Sequence, residues 1–399
     1  MRRSVIAVGM IVLMVVVYSR AQFYPQNARM NALGGTFILE DISDIMRYPV
    51  EMASYRNAMQ ATWNSAVLGV KSVGDVLSLG VVVNRGMMMD NYYPNSFYQT
   101  GAAMVSVLTA QDPLIGTMDP VRAMPHVLIG ADLSVVSIGI DLFWEHTGIH
   151  FNNKTTAATT KLDAGMRNFG TIASARLNVA EIPIKAKVGV SFPGISGEFS
   201  NGTIEAKVGS DKGMFLDFGA ETDIPLNDFT VTAGTDLIFE NYAFTINDSA
   251  NGNVFGNSKK AFYGGIKGDV FTDAKWGAQY TFAILDSSGT VPADTSIRHN
   301  FIHVLSCGLE NSWSSVWKFD KLIFRGGLLM NITTASRSSK DGVNDVKSSS
   351  SVAYGPVVPS IGAGVSKNFF QLDITLNPTA WAGVVSGPQV GQVTATVTF

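Results

Sequence analysis

A single cysteine, Cys307, in a chain of 399 residues leaves no partner for an internal disulfide and no set for a cysteine-ligated zinc site. Charge is scarce as well: only 15% of residues are Asp, Glu, Lys or Arg, and the formal net charge is −3. That argues against a nucleic-acid partner, which normally asks for a clustered basic excess. Long apolar runs are equally rare. After the N-terminus no stretch is long enough to cross a bilayer as a helix, so the positive mean hydropathy of +0.18 has another source. What the chain does have is apolar residues in abundance, 46%, with 39 glycines, 23 Phe, 11 Tyr and 6 Trp. Such a composition excludes intrinsic disorder.

The one long apolar run, Val5 to Tyr18, follows Arg2 and Arg3 and precedes Ser19-Arg20-Ala21. It falls short of the roughly 20 residues of a spanning helix, and the small residues at 19 and 21 suit signal peptidase. Residues 1–21 are therefore expected to be a secretory signal peptide cut between Ala21 and Gln22, the alternative being an uncleaved anchor. No cysteine follows the cut, which argues against a lipoprotein. Cleavage would remove three arginines and no acid, making the mature chain more acidic.

The apolar residues alternate. Phe229, Val231, Ala233, Leu237 and Phe239 interleave with Thr230, Thr232, Asp236 and Glu240; Met214, Leu216 and Phe218 interleave with Phe215, Asp217 and Gly219. The same period of two runs through Trp276–Ile284 and Phe370–Leu376. Strands with one oily and one wet face suit either a soluble sandwich or a membrane barrel. Length favours the barrel, because these strands run to about ten residues, as a tilted membrane strand requires. The connections also alternate between short turns and long polar stretches. The expected fold is thus all-β, a transmembrane antiparallel β-barrel of 14–16 strands over 53–399 preceded by a plug-like segment at 22–52. Sixteen strands are predicted, near 53–63, 66–71, 75–85, 126–133, 136–146, 167–180, 183–192, 213–223, 228–246, 260–271, 275–285, 297–313, 321–336, 352–366, 370–384 and 390–399; fourteen stays open. The stretches 86–125, 147–166, 193–212, 247–259, 286–296 and 337–351 read as long loops on one side.

Inward positions carry both signs: Arg176, Lys185, Lys187, Asp217, Glu221, Asp223, Asp236, Glu240, Lys267, Lys275 and Asp373. They form either a selective pore lining or a network that fills the lumen. His146 and His150, like His299 and His303, are four apart, which on a strand is about 13 Å and too far for one zinc ion. No motif calls for a cofactor, metal or catalytic group, and an enzyme is not expected.

Two stretches carry resemblances. The ending Val390–Phe399, with Val393, Ala395, Val397 and Phe399 on one face, resembles the C-terminal strand of bacterial outer-membrane proteins. That resemblance implies outer-membrane lipid around the protein and the barrel-assembly machinery as a partner during insertion. The segment from Asn27 to Pro49, with Ala28-Arg29, Gly34-Gly35, Glu40-Asp41 and Pro49 in order, resembles the N-terminal signature of the outer-membrane hydrophobic-compound transporters (FadL-like) and the related PorV-type barrels. Tyr48 and Val50 stand where that pattern has asparagine and alanine. The resemblance implies a segment inside the barrel, with a tight turn at Gly34 and Gly35 and an apolar ligand pocket lined by Leu33, Phe37, Ile38 and Leu39. It also implies hydrophobic small molecules as ligands, or, on the PorV side, a secretion or assembly partner. A purely structural role for the segment is the alternative. The loop 86–125, with Met87 to Met89, Tyr92, Tyr93, Phe97 and Tyr98, reads either as a collector of apolar molecules or as a packed lid.

Overall fold

A computed structural model describes residues 28–33, 35–36, 38–62, 67–83, 121–123, 125–154, 159–200, 205–246, 253–271, 273–291, 294–341, 344–347, 351–354, 357–376 and 390–399. The expected signal segment with its Ala21–Gln22 cut, Gly34, Phe37 and most of 86–125 lie outside them. Alternation along the chain produces strands, and these are β1 (Ala58–Thr62), β2 (Val67–Val73), β3 (Leu77–Val83), β4 (Val121–Ala123), β5 (His126–Asp132), β6 (Val136–Lys154), β7 (Thr159–Val179), β8 (Ile182–Ser200), β9 (Glu205–Leu226), β10 (Phe229–Ile246), β11 (Asn253–Phe271), β12 (Ala274–Val291), β13 (Asp294–Val316), β14 (Phe319–Asp341), β15 (Asn344–Lys347), β16 (Ser351–Tyr354), β17 (Val358–Lys367), β18 (Phe370–Leu376) and β19 (Val390–Thr398).

Among the described residues every pairing is antiparallel, between successive strands except where a stave is made of several segments, and β19 returns to pair with β1 from Ala58↔Thr398 to Thr62↔Thr394. The sheet is closed. Segments β4 and β5 both pair with β6, and β15, β16 and β17 all pair with β14, so the segments make sixteen staves. Fourteen is excluded. Closure matters physically because a barrel has no edge whose backbone groups would go unpaired in lipid.

The period of two decides which side chain faces where. In β3 the exposed Leu77, Leu79, Val81 and Val83 alternate with buried Ser78, Gly80 and Val82. Val127, Ile129, Leu142, Val188, Phe218, Leu305 and Leu309 are likewise exposed and form an outward apolar belt, while Asp217, Asp236 and Glu240 point inward and are buried. The ladder of Lys260, Asp286 and His299 marks one edge of this belt, with Asp286 3.3 Å from Lys260 Nζ and 2.7 Å from His299 Nδ1.

Short turns at 74–76, 133–135, 180–181, 227–228, 317–318 and 368–369 lie at one end, where Phe399 N also donates to Asn57 O at 2.9 Å. Asn227 and Asn368 take positive φ of 50° and 53° there, a conformation asparagine tolerates. At the other end the structure differs from the sequence expectation. The stretches read as long loops, 147–166, 193–212, 247–259, 286–296 and 337–351, are largely strand, so that β6 to β14 run 18 to 23 residues. That is about twice what a tilted strand needs to cross. Pairing persists there because each hairpin inherits its register from the ladder below.

Candidate functional site: a segment wound around the lumen

The described residues of 28–57 precede β1 and lie inside the barrel. They comprise helix α1 (Ala28–Ala32) and two short 3-10 turns, Ile42–Met46 and Pro49–Ala53. The first turn starts at a capping box, in which Asp41 accepts from Ser43 N and Asp44 accepts from Asp41 N at 2.8 Å. The second starts with Pro49 in its first position, where a missing N–H costs nothing.

The segment passes the staves in descending order. Ala28 N donates to Thr394 Oγ1 on β19 at 3.0 Å and Ala28 O accepts from Thr375 on β18. Ser360 on β17 donates to Ala32 O at 3.0 Å. Leu33 lies over Gly308 of β13, Thr36 and Leu39 over Gly277 of β12, and Ile38 over Gly265 of β11. Arg47 reaches β11, β10 and β9; Val50 N donates to Ser174 Oγ on β7 at 2.8 Å; Pro49 and Val50 cross Gly139 on β6, and Met52 crosses Gly130 on β5. The chain therefore makes nearly one circuit of the lumen before entering β1. Its height is fixed by inward glycines, whose missing side chains leave room for a second backbone. All these contacts fall within the half of the barrel near the short turns.

Two ionic clusters fasten the circuit. Near its start, Arg29 Nε is 2.8 Å from Glu310 Oε2, Arg325 Nε bonds the same oxygen at 2.5 Å, and Arg325 Nη1 reaches Asp373 Oδ1 at 2.6 Å. Near its end, Arg47 Nη1 is 2.6 Å from Glu221 Oε2 and Arg47 Nη2 is 3.5 Å from Asp236 Oδ2 and bonded to Tyr263. Lys185 joins Glu221 to Glu51, the latter at 3.2 Å, and Lys187 joins Asp217 at 3.0 Å to Asp236 at 3.2 Å. The Tyr48 ring lies beneath Arg47 at 4.8 Å, Lys185 at 5.5 Å and Lys187 at 5.6 Å, so the cations are shared between carboxylates and an aromatic face. Between the clusters, Ile38, Ile42, Ile45, Met46 and Met52 pack with inward Phe143, Ile172, Phe215, Ile238, Ile302 and Val304 into one apolar cluster.

Of the residues singled out in the sequence, Leu33, Ile38 and Leu39 are buried against the wall. Gly35 is exposed with φ +72°, and a Cβ there would meet nothing within 4 Å. The tight turn at Gly35 is present, with Gly35 N donating to Met30 O at 2.9 Å; Gly34 and Phe37 lie outside the described residues. The inward charges Arg176, Lys185, Lys187, Asp217, Glu221, Asp223, Asp236 and Lys267 pair with one another or with the segment, and Asp373 pairs with Arg325 of β14, as in the lumen-filling network; Glu240 is buried with them, whereas Lys275 is exposed at the rim. His299 and His303 face outward, bonded to Asp286 and, at 2.7 Å, to Tyr280. Arg29 was legible only as part of the Ala28-Arg29 signature, and nothing in the sequence marked the central cations Arg47 and Arg325 or the fully buried His126, which lies 3.0 Å from Asp141 and stacks on Phe143. Arg29 and Arg47 precede any strand and so had no alternation to give them a face.

This arrangement makes a direct prediction. A Cβ at Gly139 would overlap the backbone of Pro49 and Val50, and backbone clamped by Ser174 and Arg47 cannot step aside. Gly139→Ala should destabilise the seated segment by about 1–3 kcal/mol while leaving the barrel folded. Limited proteolysis should then cut within 28–57 faster than in the wild type, with the heat-modifiable barrel band unchanged.

No family model and no curated protein matches the sequence. Among solved structures, the toluene transporter TodX of Pseudomonas putida is similar with a TM-score of 0.38 at 10% identity, over 94% of this chain and 99% of that one. The alcaligin outer-membrane receptor FauA of Bordetella pertussis gives 0.39 at 8%, over 80% of this chain, which spans only 60% of that one. OmpT, an outer-membrane protein of Vibrio cholerae, gives 0.29 at 9%, over 86% and 96%. At these scores the likeness bears on neither substrate nor partner.

Proposed function

We propose that this is an outer-membrane barrel of a Gram-negative-type bacterium that binds or passes hydrophobic small molecules, with its short turns toward the periplasm. The observation that carries the reading is the apolar cluster within the lumen. A water-filled pore lines its interior with polar groups, whereas here Phe143, Ile172, Phe215, Ile238 and Ile302 belong to one apolar cluster with Ile38 and Ile42 of the wound segment. An apolar solute leaving water gains about 25 cal/mol per Å² of surface it buries, so an apolar lumen favours hydrophobic molecules over ions. Leu33, Ile38 and Leu39 are the proposed contacts at the segment, residues 22–52 the proposed plug, and 53–399 the proposed barrel. The ionic clusters at both ends of the circuit favour a second reading, a sealed barrel serving as a secretion or assembly partner, as in the PorV type.

Uptake separates the two. Cells making the protein should accumulate labelled fatty acid or a small aromatic hydrocarbon faster than cells lacking it. Gly35→Val should reduce that gain, because a β-branched residue is strained at φ +72° and shifts the neighbouring Leu33 and Ile38. Equal uptake with and without the protein removes the transport reading and leaves the sealed one.

A further inference from the structure

The rim at the short-turn end is not uniform around the barrel. Over β13, β14 and β17 to β19, continuing through β1 to β2, it carries exposed Trp317, Phe369 and Phe399 beside exposed Lys71, Lys318, Lys321 and Lys367. The Lys318 ammonium lies 6.0 Å from the Trp317 ring centroid and that of Lys71 5.0 Å from the Phe399 ring. Across the remaining arc the exposed rim residues include Asp75, Glu181, Asp228, Asp269 and Asp273, with Lys275 as a cation. The first arc is rich in aromatic and basic residues, although it includes exposed Asp320, which accepts from Asn368 N; the other is mainly acidic, with Phe229 as an exposed aromatic.

Trp317 is the unusual member. It is 86% exposed, the most of the exposed large apolar side chains, and it sits in a two-residue turn with φ +58°. The equivalent positions of the β9–β10 and β17–β18 turns hold Asn227 and Asn368, the residue such a conformation favours. Within the turn this bulky aromatic meets Phe319 edge-on, with ring centroids 6.3 Å apart, and most of its surface is left exposed. Four residues before it Trp313 belongs to the apolar belt, so Trp317 reaches the depth where the bilayer passes into headgroups, and indole rings prefer that depth.

We propose that this arc binds the headgroups of anionic phospholipid in the leaflet on the short-turn side, with Trp317 seated at the headgroup level and Lys318, Lys321 and Lys367 facing the phosphates. The lysines supply attraction that a zwitterionic headgroup does not reward, and the acidic arc opposite repels the same lipid. Anionic lipid therefore gathers on one side of the barrel only. The proposal rests on the membrane placement given above and is independent of transport.

The test uses the full-length folded protein in phosphatidylethanolamine vesicles containing either brominated phosphatidylglycerol or brominated phosphatidylethanolamine at equal mole fraction. The difference in tryptophan emission between wild type and Trp317→Asn isolates Trp317. Its quenching is expected to favour phosphatidylglycerol about fivefold, the factor expected of one well-placed lysine near an anionic surface. The triple variant K318E/K321E/K367E should bring the ratio to one. Trp317→Asn should itself melt higher than the wild type, because asparagine relieves the positive φ. Equal quenching by the two lipids in the wild type overturns the selectivity. Absence of quenching by either overturns the membrane placement of the rim and points to a protein-covered or aqueous surface instead. A lower melting temperature for Trp317→Asn shows that the indole serves the turn, and overturns the proposal as well.

Discussion

Deleting residues 390–399 is expected to abolish the compact, heat-modifiable barrel altogether. Strand β19 is the closing stave, paired on one side with β1 over Ala58–Thr62 and on the other with β18 over Phe370–Leu376. Its loss exposes two edges at once, and a backbone group left unpaired in hydrocarbon costs several kcal/mol. No rearrangement within the remaining staves repairs that, because β1 and β18 would have to bridge the width of a missing strand. The deletion also removes Thr394, whose hydroxyl anchors Ala28 N, so the wound segment loses its first attachment. Val397→Asp should act more weakly and by depth, since the side chain faces outward near the short-turn rim. The measurement is migration in cold and boiled detergent gels. A truncated protein that still migrates as a compact species when unboiled and shifts on boiling would refute the closure argument.

Arg47→Met is expected to release the wound segment without unfolding the wall. The guanidinium is buried between Glu221, Asp236 and Tyr263, and removing one partner of a buried ion pair typically costs about 3–5 kcal/mol because the other charge stays behind in low dielectric. Here the remaining charges are carboxylates on β9 and β10, whose backbone ladders are untouched. The penalty therefore falls on seating of residues 28–57. In planar bilayers Arg47→Met should conduct ions at least tenfold more than the wild type, since each 1.4 kcal/mol is a factor of ten in the open population. Arg47→Lys should give an intermediate conductance, because an ammonium keeps the charge but lacks the fork that spans two carboxylates. Adding Glu221→Gln to Arg47→Met should restore part of the closed state by removing an uncompensated charge. Unchanged conductance in Arg47→Met would mean that the apolar cluster alone holds the segment.

Both expectations depend on residues that the sequence exposed unequally. Phe399 and Val397 were legible because a terminal strand alternates and nothing else in the chain competes for that pattern. Glu221 and Asp236 were legible as inward residues, for they interrupt apolar neighbours at the right parity. Arg47 was not. It lies in a stretch without period, and its partners stand 174 and 189 residues away in the chain. His126 was missed for a related reason: its burial follows from pairing with Val82 and Phe143 across two ladders, and one residue at the start of a strand shows no alternation.

The sequence by itself determined that this chain forms a barrel and which face of each strand meets lipid, because alternation records burial one residue at a time. Parity of long and short connections favoured sixteen staves but left fourteen open, and only the closed ladder decided between them. It could not tell a polar loop from a polar hairpin, as in 147–166 or 337–351, because ladder hydrogen bonds are backbone bonds and leave no mark on side-chain type. Nor could it reveal that residues 28–57 wind past the staves in descending order. That path depends on inward glycines such as Gly139, Gly265, Gly277 and Gly308 coming to one level of the lumen, and the level is set by the stagger between neighbouring strands. Stagger is a property of the closed sheet, fixed only when β19 meets β1.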